Sequence, residues 1–246
     1  MKTENKTAII VGATSGMGRG VALALLEKGY TIGIAGRRGE ALLEIKRQAP
    51  DRVFTKEIDV CTPDAPTLLH ELIDETGGMD LYFHSSGYGK ANIELDTDIE
   101  RQTALTNCYG FTQMVDTAFN YFRTTRRSGH IAFISSIAGT KGLGAAPSYS
   151  ASKRYQWTYA EALSQQAHME HLDIRFTDIR PGFVATDFIK GSPFPMQLST
   201  DYAVRLIVDA LEKRKRKATI DWKYRLLCHA WRLIPASLWE RFAVRA

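Results

Sequence analysis

Cysteine is scarce in this sequence, and the cysteines that are present show no metal-binding spacing. Cys61, Cys108 and Cys228 lie far apart in a chain of 246 residues, and their number is odd. This usage is typical of a reduced cytosolic protein rather than of a disulfide framework. His168 and His171 are three residues apart but lack a third ligand at a suitable spacing, so we expect no metal site.

Long apolar runs are also missing, as are internal repeats and low-complexity segments. No stretch approaches the length that a helix needs to cross a bilayer, and the first six residues show no signal-peptide pattern. We therefore expect a cytoplasmic protein. With 44% hydrophobic and 24% charged residues, a chain of this length suits one large α/β domain.

The excess of positive charge is concentrated in part of the chain. The net charge is +5, and residues 213–217 and the arginine-rich tail carry much of it. A basic run can bind nucleic acid or anionic lipid, but cations at a helix end also complement the helix dipole. We favour the second interpretation and expect no nucleic-acid partner.

Apolar segments alternate with helical patterns along the chain. Strands are predicted at residues 7–11, 31–35, 53–58, 80–84, 130–134, 174–179 and 218–221. Helices are predicted at residues 21–28, 39–48, 63–75, 97–122, 148–171 and 200–214. This alternation predicts a single Rossmann-type, doubly wound parallel sheet of about seven strands, with helices on both faces. We assign residues 1–221 to this domain and residues 222–246 to an amphipathic C-terminal extension.

A glycine-rich turn joins the first strand to the first helix, with the spacing Gly12-x-x-x-Gly16-x-Gly18. Glycines let the backbone approach a pyrophosphate, and the N-terminus of the helix supplies free N–H groups and positive potential. The spacing is not the usual G-x-G-x-x-G. Taken alone, the turn is explained equally well by close packing of helix and strand.

The residues after the second strand indicate which cofactor binds. An acidic residue at this place holds the ribose 2′-hydroxyl of NAD, whereas arginine accommodates a 2′-phosphate. The chain has no carboxylate there and has Arg37 and Arg38 instead. We therefore predict NADP(H) rather than NAD(H). The alternative is that the two arginines only border a solvated loop.

Tyr149 and Lys153 lie four residues apart in a predicted helix, so they share one face, one turn apart. A cation beside a phenol favours the phenolate. We expect the pKa of Tyr149 to fall from its ordinary value of about 10 toward the working pH. Such a tyrosine acts as a general acid or base. The alternative is a surface pair whose stems cover apolar area.

Together these motifs resemble the short-chain dehydrogenase/reductase family over residues 6–221. The resemblance is carried by the glycine motif, by Tyr149-x-x-x-Lys153 and by Ser136 upstream, whose distance to the tyrosine fits better than that of Ser135. It implies an NADP(H)-dependent oxidoreductase that interconverts a ketone or aldehyde and an alcohol. The catalytic set that it implies is Asn107, Ser136, Tyr149 and Lys153.

The resemblance also implies the residues that contact the cofactor. Asp59 matches the position at the adenine, and Thr186 matches the one near the nicotinamide carboxamide and the phosphates. The full predicted set is Gly12, Thr14, Ser15, Gly16, Met17, Gly18, Arg37, Arg38, Asp59, Val60, Ser86, Gly87, Tyr149, Lys153, Pro181, Gly182, Val184 and Thr186.

The implied mechanism gives each catalytic residue a role. Ser136 holds the substrate carbonyl oxygen, and Tyr149 delivers a proton to it while hydride passes from the nicotinamide to the carbonyl carbon. Lys153 lowers the pKa of the tyrosine and binds the nicotinamide ribose. Asn107 positions a water that links Lys153 to solvent.

One segment departs from the family pattern. Where the family usually has Asn-Asn-Ala-Gly after the fourth strand, this chain has His84-Ser85-Ser86-Gly87, which affects hydrogen bonding beside the cofactor. We expect His84 to be a packed strand residue. A nucleotide-sensing protein without turnover is the rival function, although a sensor need not retain all four catalytic residues. Ser136 lies in no Gly-x-Ser-x-Gly elbow, so it does not resemble an acyl nucleophile.

Two further segments bear on the substrate. Residues 188–199 match the variable segment that covers the substrate in the family, and their apolar side chains favour a hydrophobic ketone or alcohol. In residues 222–246, aromatic and apolar side chains alternate with basic ones and are interrupted at Pro235. Two short amphipathic helices of this kind either pack against the domain or a partner subunit, or lie on an anionic membrane.

We favour packing of this extension. Peripheral contact with a membrane surface, with a lipid or sterol ketone as substrate, is the alternative. The family resemblance also implies a homodimer or homotetramer.

Overall fold

The computed structural model describes residues 6–186 and 196–242, and a parallel sheet of seven strands forms the centre of this part. The strands are β1 (Thr7–Val11), β2 (Thr31–Gly36), β3 (Val53–Glu57), β4 (Leu81–His84), β5 (Gly129–Ile134), β6 (Ile174–Arg180) and β7 (Lys217–Thr219). Their order is β3-β2-β1-β4-β5-β6-β7, and every neighbouring pair is parallel. The predicted doubly wound sheet is confirmed.

Helices cover both faces of the sheet. They are α1 (Gly16–Glu27), α2 (Gly39–Lys46), α3 (Ala65–Glu75), α4 (Thr97–Ala104), α5 (Phe111–Thr125), α6 (Pro147–Met169), α7 (Thr200–Glu212), α8 (Trp222–Leu233) and α9 (Ala236–Trp239). Side chains alternate along a strand, so Ile10 packs in a core with α1, α2 and α7. Its neighbour Ile9 packs in a second core with α3, α5 and α6.

The prediction of one α-helix over residues 97–122 is wrong for the middle of that range. A π-helical segment, Leu105–Gly110, joins α4 to α5 and carries the fully buried Asn107. Hydrophobic periodicity does not distinguish a π turn from an α turn, because the two differ in backbone hydrogen bonding. Segments of this kind are frequent at functional sites.

The direction in which strands are added to the sheet reverses at β1, which lies between β2 and β4. A crevice forms at the carboxyl ends of the strands at such a point. Gly12 follows β1 with a φ of +89°, and a Cβ there would lie 2.6 Å from the Ser86 nitrogen. A Cβ on Gly18 would lie 2.1 Å from the Gly12 oxygen. Only glycine allows these segments to approach so closely beneath the crevice.

The C-terminal extension packs against the domain. α8 buries Tyr224 and Cys228 against Ile137, and α9 buries Trp239. The Trp239 Nε1–H donates to the Gly142 oxygen at 2.7 Å. The inward face of the extension is therefore part of the folded core. In residues 6–186 and 196–242, no helix is long and apolar enough to span a bilayer.

Candidate active site

A cavity of about 670 Å³ opens at the carboxyl ends of the strands. Its lining contains every predicted cofactor residue except Gly18, and it also contains Ser136. Gly18 lies beneath the cavity, where it lets α1 pack on the turn after β1. Asn107 is fully buried behind the cavity wall. One crevice thus brings together predicted residues from seven separate parts of the chain.

The glycine turn forms one end of this cavity. α1 begins at Gly16, directly after Ser15, so the first N–H groups of the helix open onto the turn. Gly16 has a φ of +53°, and a Cβ there would lie 3.2 Å from Cγ2 of Thr186. The bare backbone leaves room for a pyrophosphate at a helix N-terminus, which is the environment that a dinucleotide phosphate requires.

Two arginines border the same end of the cavity. Arg37 and Arg38 follow β2, and both are exposed. The guanidinium of Arg38 donates to Oγ1 of Thr14 at 2.9 Å from Nη2 and at 3.3 Å from Nε. Thr14 therefore fixes Arg38 beside the turn, and the two cations give this end a positive potential. These residues fit a dinucleotide that carries a 2′-phosphate.

Ser136 and Tyr149 lie together at the other end. Ser136 precedes a short 3-10 helix, Ile137–Thr140, and its Oγ accepts from the Ala138 nitrogen at 3.1 Å. A hydrogen bond also joins its side chain to Tyr149, in the first turn of α6. Trp157 donates to the neighbouring Ser135 at 2.8 Å. Of the two serines, Ser136 is the one beside the tyrosine.

Lys153 lies one turn beyond Tyr149 and is buried. Its Nζ is 5.7 Å from the centroid of the Tyr149 ring and donates to the Ile134 oxygen at 3.1 Å. Burial lowers the pKa of Lys153 to about 8, because desolvation disfavours the ammonium more than Asp178 and Cys108 favour it. The lysine therefore changes its charge near pH 8 and not near 10.5.

The expected fall in the pKa of Tyr149 is wrong for the protein alone. Burial raises the pKa of Tyr149 above its ordinary value, and the hydrogen bond with Ser136 only partly opposes this. Desolvation penalises the phenolate, and this is the largest effect on the tyrosine. The sequence spacing alone shows the nearby cation and not the burial.

Asn107 holds the loop that follows β4. Its Oδ1 accepts from the Tyr88 nitrogen at 2.8 Å, and its Nδ2 donates to the Tyr88 oxygen at 2.7 Å. The same Nδ2 donates to Oγ of Ser152 at 3.0 Å. This amide fixes the backbone next to Gly87, which lies beside Lys153. Asn107 thus shapes the cavity from behind.

His84, which stands in the departing motif, is packed within β4. Its Nδ1 forms a hydrogen bond with the Tyr82 hydroxyl at 2.9 Å, and its ring meets Phe111 edge to face. Burial lowers the pKa of His84 to about 3, and the positive charge of Lys153 contributes to this. The ring is therefore neutral at physiological pH.

Several residues of the site carry no motif that identifies them in the sequence. Trp231 of α8 lines the cavity and packs in the same apolar cluster as Tyr149. Gly89 lies against the Tyr149 ring, and Gln156 accepts a hydrogen bond from Lys153. The apolar spacing of the extension is the only sequence signal for Trp231. For Gly89 and Gln156 there is none.

Known proteins resemble this chain in sequence and in structure. The family model for short chain dehydrogenases matches residues 6–193. An uncharacterised oxidoreductase of Myxococcus xanthus is 30% identical over 248 residues, covering 98% of this chain and 97% of that protein. A 3-ketodihydrosphingosine reductase of Bacteroides thetaiotaomicron is 32% identical over 183 residues, covering 73% of this chain and 64% of that protein.

A solved structure has the same fold. A short chain dehydrogenase from Burkholderia cenocepacia, in complex with NADP, superposes with a TM-score of 0.78 at 22% identity, covering 96% of this chain and 100% of that one. Fold and glycine turn define a nucleotide-binding protein of Rossmann type. The chain belongs to the short-chain dehydrogenase family and is an oxidoreductase, which acts on a small-molecule substrate.

Proposed function

We propose that this protein is an NADP(H)-dependent reductase that interconverts a ketone or aldehyde and an alcohol on a hydrophobic substrate. One observation carries the proposal: Ser136 and Tyr149 lie together in the cavity wall, and the ammonium of Lys153 is 5.7 Å from the centroid of the Tyr149 ring. This arrangement provides a hydrogen-bond donor, a proton donor and a cation around one point. A nucleotide sensor has no use for such a set.

The chemistry follows from these positions. When bound, NADPH supplies the hydride that attacks the carbonyl carbon. Ser136 orients the carbonyl oxygen by a hydrogen bond, and the Tyr149 hydroxyl gives that oxygen its proton. The raised pKa of Tyr149 keeps the phenol protonated, which suits proton donation in the direction of reduction. In oxidation the same atoms act in reverse, and the tyrosine must first lose its proton.

Lys153 supports both directions. Its ammonium lies close enough to stabilise the phenolate that forms when Tyr149 gives up its proton. It also lies beside Gly87 at the cavity wall, where it would hold the ribose of the nicotinamide nucleotide. Fixing the ribose places the nicotinamide near the carbonyl carbon, and such positioning accounts for much of a rate enhancement.

The preference for NADP(H) is part of the proposal. Arg37 and Arg38 are exposed at the cavity mouth and can contact a 2′-phosphate without losing any buried partner. A guanidinium binds phosphate through two parallel N–H donors, which makes it well suited to this task. The relative from Burkholderia cenocepacia that was solved with NADP is consistent with this preference.

The substrate is proposed to be hydrophobic because apolar side chains surround the tyrosine. Leu143, Ile137, Phe183 and Trp231 line the cavity there. Residues 188–195 of the predicted substrate segment lie outside the described residues. The part that is described contributes Leu198, which packs with Phe183 and α8.

The test is oxidation of NADPH, followed by its absorbance, with a panel of aliphatic, aromatic, sterol and acyl-chain ketones. We expect turnover with at least one apolar ketone, and we expect Tyr149→Phe to lower kcat by about 100- to 10,000-fold. NADPH binding by Tyr149→Phe, measured by fluorescence, should stay close to that of the unaltered protein. Retained turnover in this variant would refute the proposed role of the tyrosine.

A second candidate function is reduction of a lipid ketone at a membrane surface. Trp222, Leu226 and Leu233 are 57%, 59% and 84% exposed. At 3.6 residues per turn they lie within about 40° of one another, opposite the buried face of α8. Arg225 and Arg232 flank this stripe on one side, and α8 contains no acidic residue.

An apolar stripe with basic flanks fits an anionic lipid surface. The relative named 3-ketodihydrosphingosine reductase acts, by its name, on a keto lipid. α8 also carries Trp231 at the cavity, so lipid contact and substrate entry would use the same helix. We further propose that the protein is cytoplasmic, which its cysteine usage favours. We also propose that it forms a homodimer or homotetramer, as the family resemblance implies.

A further inference from the structure

Gln156 forms a bridge behind the catalytic lysine. It lies three residues beyond Lys153 on α6 and is fully buried. The Lys153 ammonium donates to Oε1 of Gln156 at 3.3 Å. The Nε2 of Gln156 donates to the main-chain oxygen of Asn107 at 3.0 Å. One side-chain amide thus connects Lys153 to the π-helical segment.

The two partners fix the orientation of this amide. Lys153 offers only donors, so it requires the amide oxygen, and the Asn107 carbonyl offers only an acceptor, so it requires the amide nitrogen. A flipped amide would set donor against donor and acceptor against acceptor. The glutamine therefore has a single favourable orientation.

The bridge also restricts the lysine. An ammonium has three N–H donors. Two of them are directed at the Ile134 oxygen and at Gln156. The third is left for the side of the cavity, where a Cβ on Gly87 would lie 3.4 Å from Nζ. Two fixed acceptors are enough to direct the third donor of a tetrahedral nitrogen.

We propose that Gln156 is a positioning residue, whose amide directs the Lys153 ammonium toward the cofactor ribose and closes the space between Lys153 and Asn107. This proposal rests on the proposed function. The space is the one in which the family resemblance implies a water held by Asn107. An amide in that space holds Lys153 but does not pass protons on as a water does. Lys153 therefore exchanges its proton on the cavity side.

Charged and titratable groups surround the lysine on several elements. Asp178 of β6 and Cys108 of the π-helical segment raise the pKa of Lys153. His84 of β4 and Tyr149 of α6 also lie close to it. Burial opposes them and brings the pKa to about 8. Loss of the amide acceptor would disfavour the ammonium further, and a carboxylate in its place would favour it.

The experiment measures the pKa of Lys153 without cofactor. Trace labelling with acetic anhydride at a series of pH values, followed by mass spectrometry of the peptide, gives the midpoint at which Lys153 becomes reactive. We expect Gln156→Leu to lower this midpoint by about one pH unit and Gln156→Glu to raise it by a similar amount. NADPH affinity, measured by fluorescence, should fall about tenfold in Gln156→Leu at neutral pH.

Gln166→Leu is the matched control. Gln166 lies on the same helix and donates to Glu170, remote from Lys153. It should change neither the midpoint nor the affinity. If Gln156→Leu does not fold, the Lys153 midpoint of Gln156→Glu alone tests the proposal. A midpoint that stays within 0.3 unit of the unaltered protein in the folded Gln156 variants overturns the proposal, where 0.3 is about 0.4 kcal/mol.

Measuring both carbonyl turnover and the Lys153 midpoint separates the proposed function from the proposed role of Gln156. A protein that turns over no carbonyl compound, yet shifts its lysine midpoint as expected, contradicts the proposed function and leaves the bridge intact. A protein with turnover but no shift contradicts the bridge alone.

Discussion

Gly89 lies so close to the ring of Tyr149 that a Cβ at position 89 would come within 2.3 Å of Cδ2 of the tyrosine. The Tyr149 ring therefore packs directly against the loop after β4. That loop is held in turn by the amide of Asn107 through Tyr88. The orientation of Tyr149, the proposed proton donor, therefore depends on a glycine 60 residues before it in the chain.

Gly89→Ala should displace the phenol and lower kcat about 100-fold, because small errors in the placement of a reacting group cost about this much. NADPH affinity, measured by fluorescence, should change less than threefold. Gly144→Ala is the control, since a Cβ at Gly144 meets nothing within 4 Å. Normal turnover in Gly89→Ala would show that the ring position does not matter.

Replacing Arg37 and Arg38 together by glutamine should reverse the cofactor preference. The Kd for NADPH should rise about 100-fold, since each lost contact between a guanidinium and phosphate is worth about tenfold. The Kd for NADH should stay within about threefold. Arg47→Gln is the control, because Arg47 is exposed at the other end of α2, away from the cavity lining, and pairs with Glu40. An equal rise in Kd for NADPH and NADH would contradict the proposal that these arginines bind a 2′-phosphate.

Trp231→Ala should enlarge the cavity beside Tyr149. We expect kcat/KM to rise for bulky ketones and to fall for small ones, because the wall no longer holds a small substrate in place. The free energy of unfolding should fall by about 1–3 kcal/mol, since Trp231 also packs on Trp239.

Trp222→Ala is the matched tryptophan on the same helix, with its ring exposed. It should leave both the substrate profile and the stability within the error of measurement. A parallel change in the two variants would argue against a role of Trp231 in the cavity wall.

His84 should make the protein less stable in acid. The folded pKa is about 3, whereas the ordinary value is 6.5, so below pH 6.5 the unfolded state binds a proton that the folded state does not. Stability is therefore lost as the pH falls, by about 1.4 kcal/mol per unit. Between pH 7 and pH 5 the contribution of this histidine is about 2 kcal/mol.

Urea unfolding of His84→Asn and of the unaltered protein at both pH values measures this difference. The variant should lose about 2 kcal/mol less on going to pH 5. His229→Asn, which changes an exposed histidine, should behave like the unaltered protein. An identical acid sensitivity in His84→Asn would mean that the ring is protonated in the folded state.

The exposed stripe of α8 predicts binding to anionic vesicles. The protein should sediment with vesicles that contain phosphatidylserine and not with vesicles of phosphatidylcholine alone. Changing Trp222, Leu226 and Leu233 to glutamate should abolish sedimentation, since it removes the apolar contact and adds repulsion.

These substitutions test membrane binding by α8 without removing the helix. A chain that ends at Asp221 would also lose the inward face of α8, which is part of the core. The control changes three exposed apolar residues of other elements, Leu43, Ile93 and Met169, to glutamate. Equal binding by both triple variants would exclude α8 as the contact.

The fold and most positions of the candidate site could be read from short stretches of sequence. Apolar strands ending in polar residues predicted the crevice, because carboxyl ends of parallel strands meet at one edge. The pKa of Tyr149 could not be read in this way, since it depends on burial. The bridge of Gln156 to Asn107 spans 49 positions, and no local pattern encodes such a contact.

The irregular turn around Asn107 was missed for a related reason. Hydrophobic spacing reports which face of a helix is buried, and α4 and α5 satisfy it on either side. The π-helical segment between them is defined by how backbone groups pair. Tertiary contacts of Asn107 with Tyr88 and Ser152 accompany this pairing.

The wall that Trp231 contributes has a consequence for how such a protein diversifies. All four proposed catalytic residues precede position 154, whereas α8 and α9 begin after Asp221. The residues proposed for catalysis and the residues that shape the substrate side of the cavity are thus encoded in separate parts of the gene. Recombination or drift in the later stretch can change the substrate while the four proposed catalytic residues stay the same.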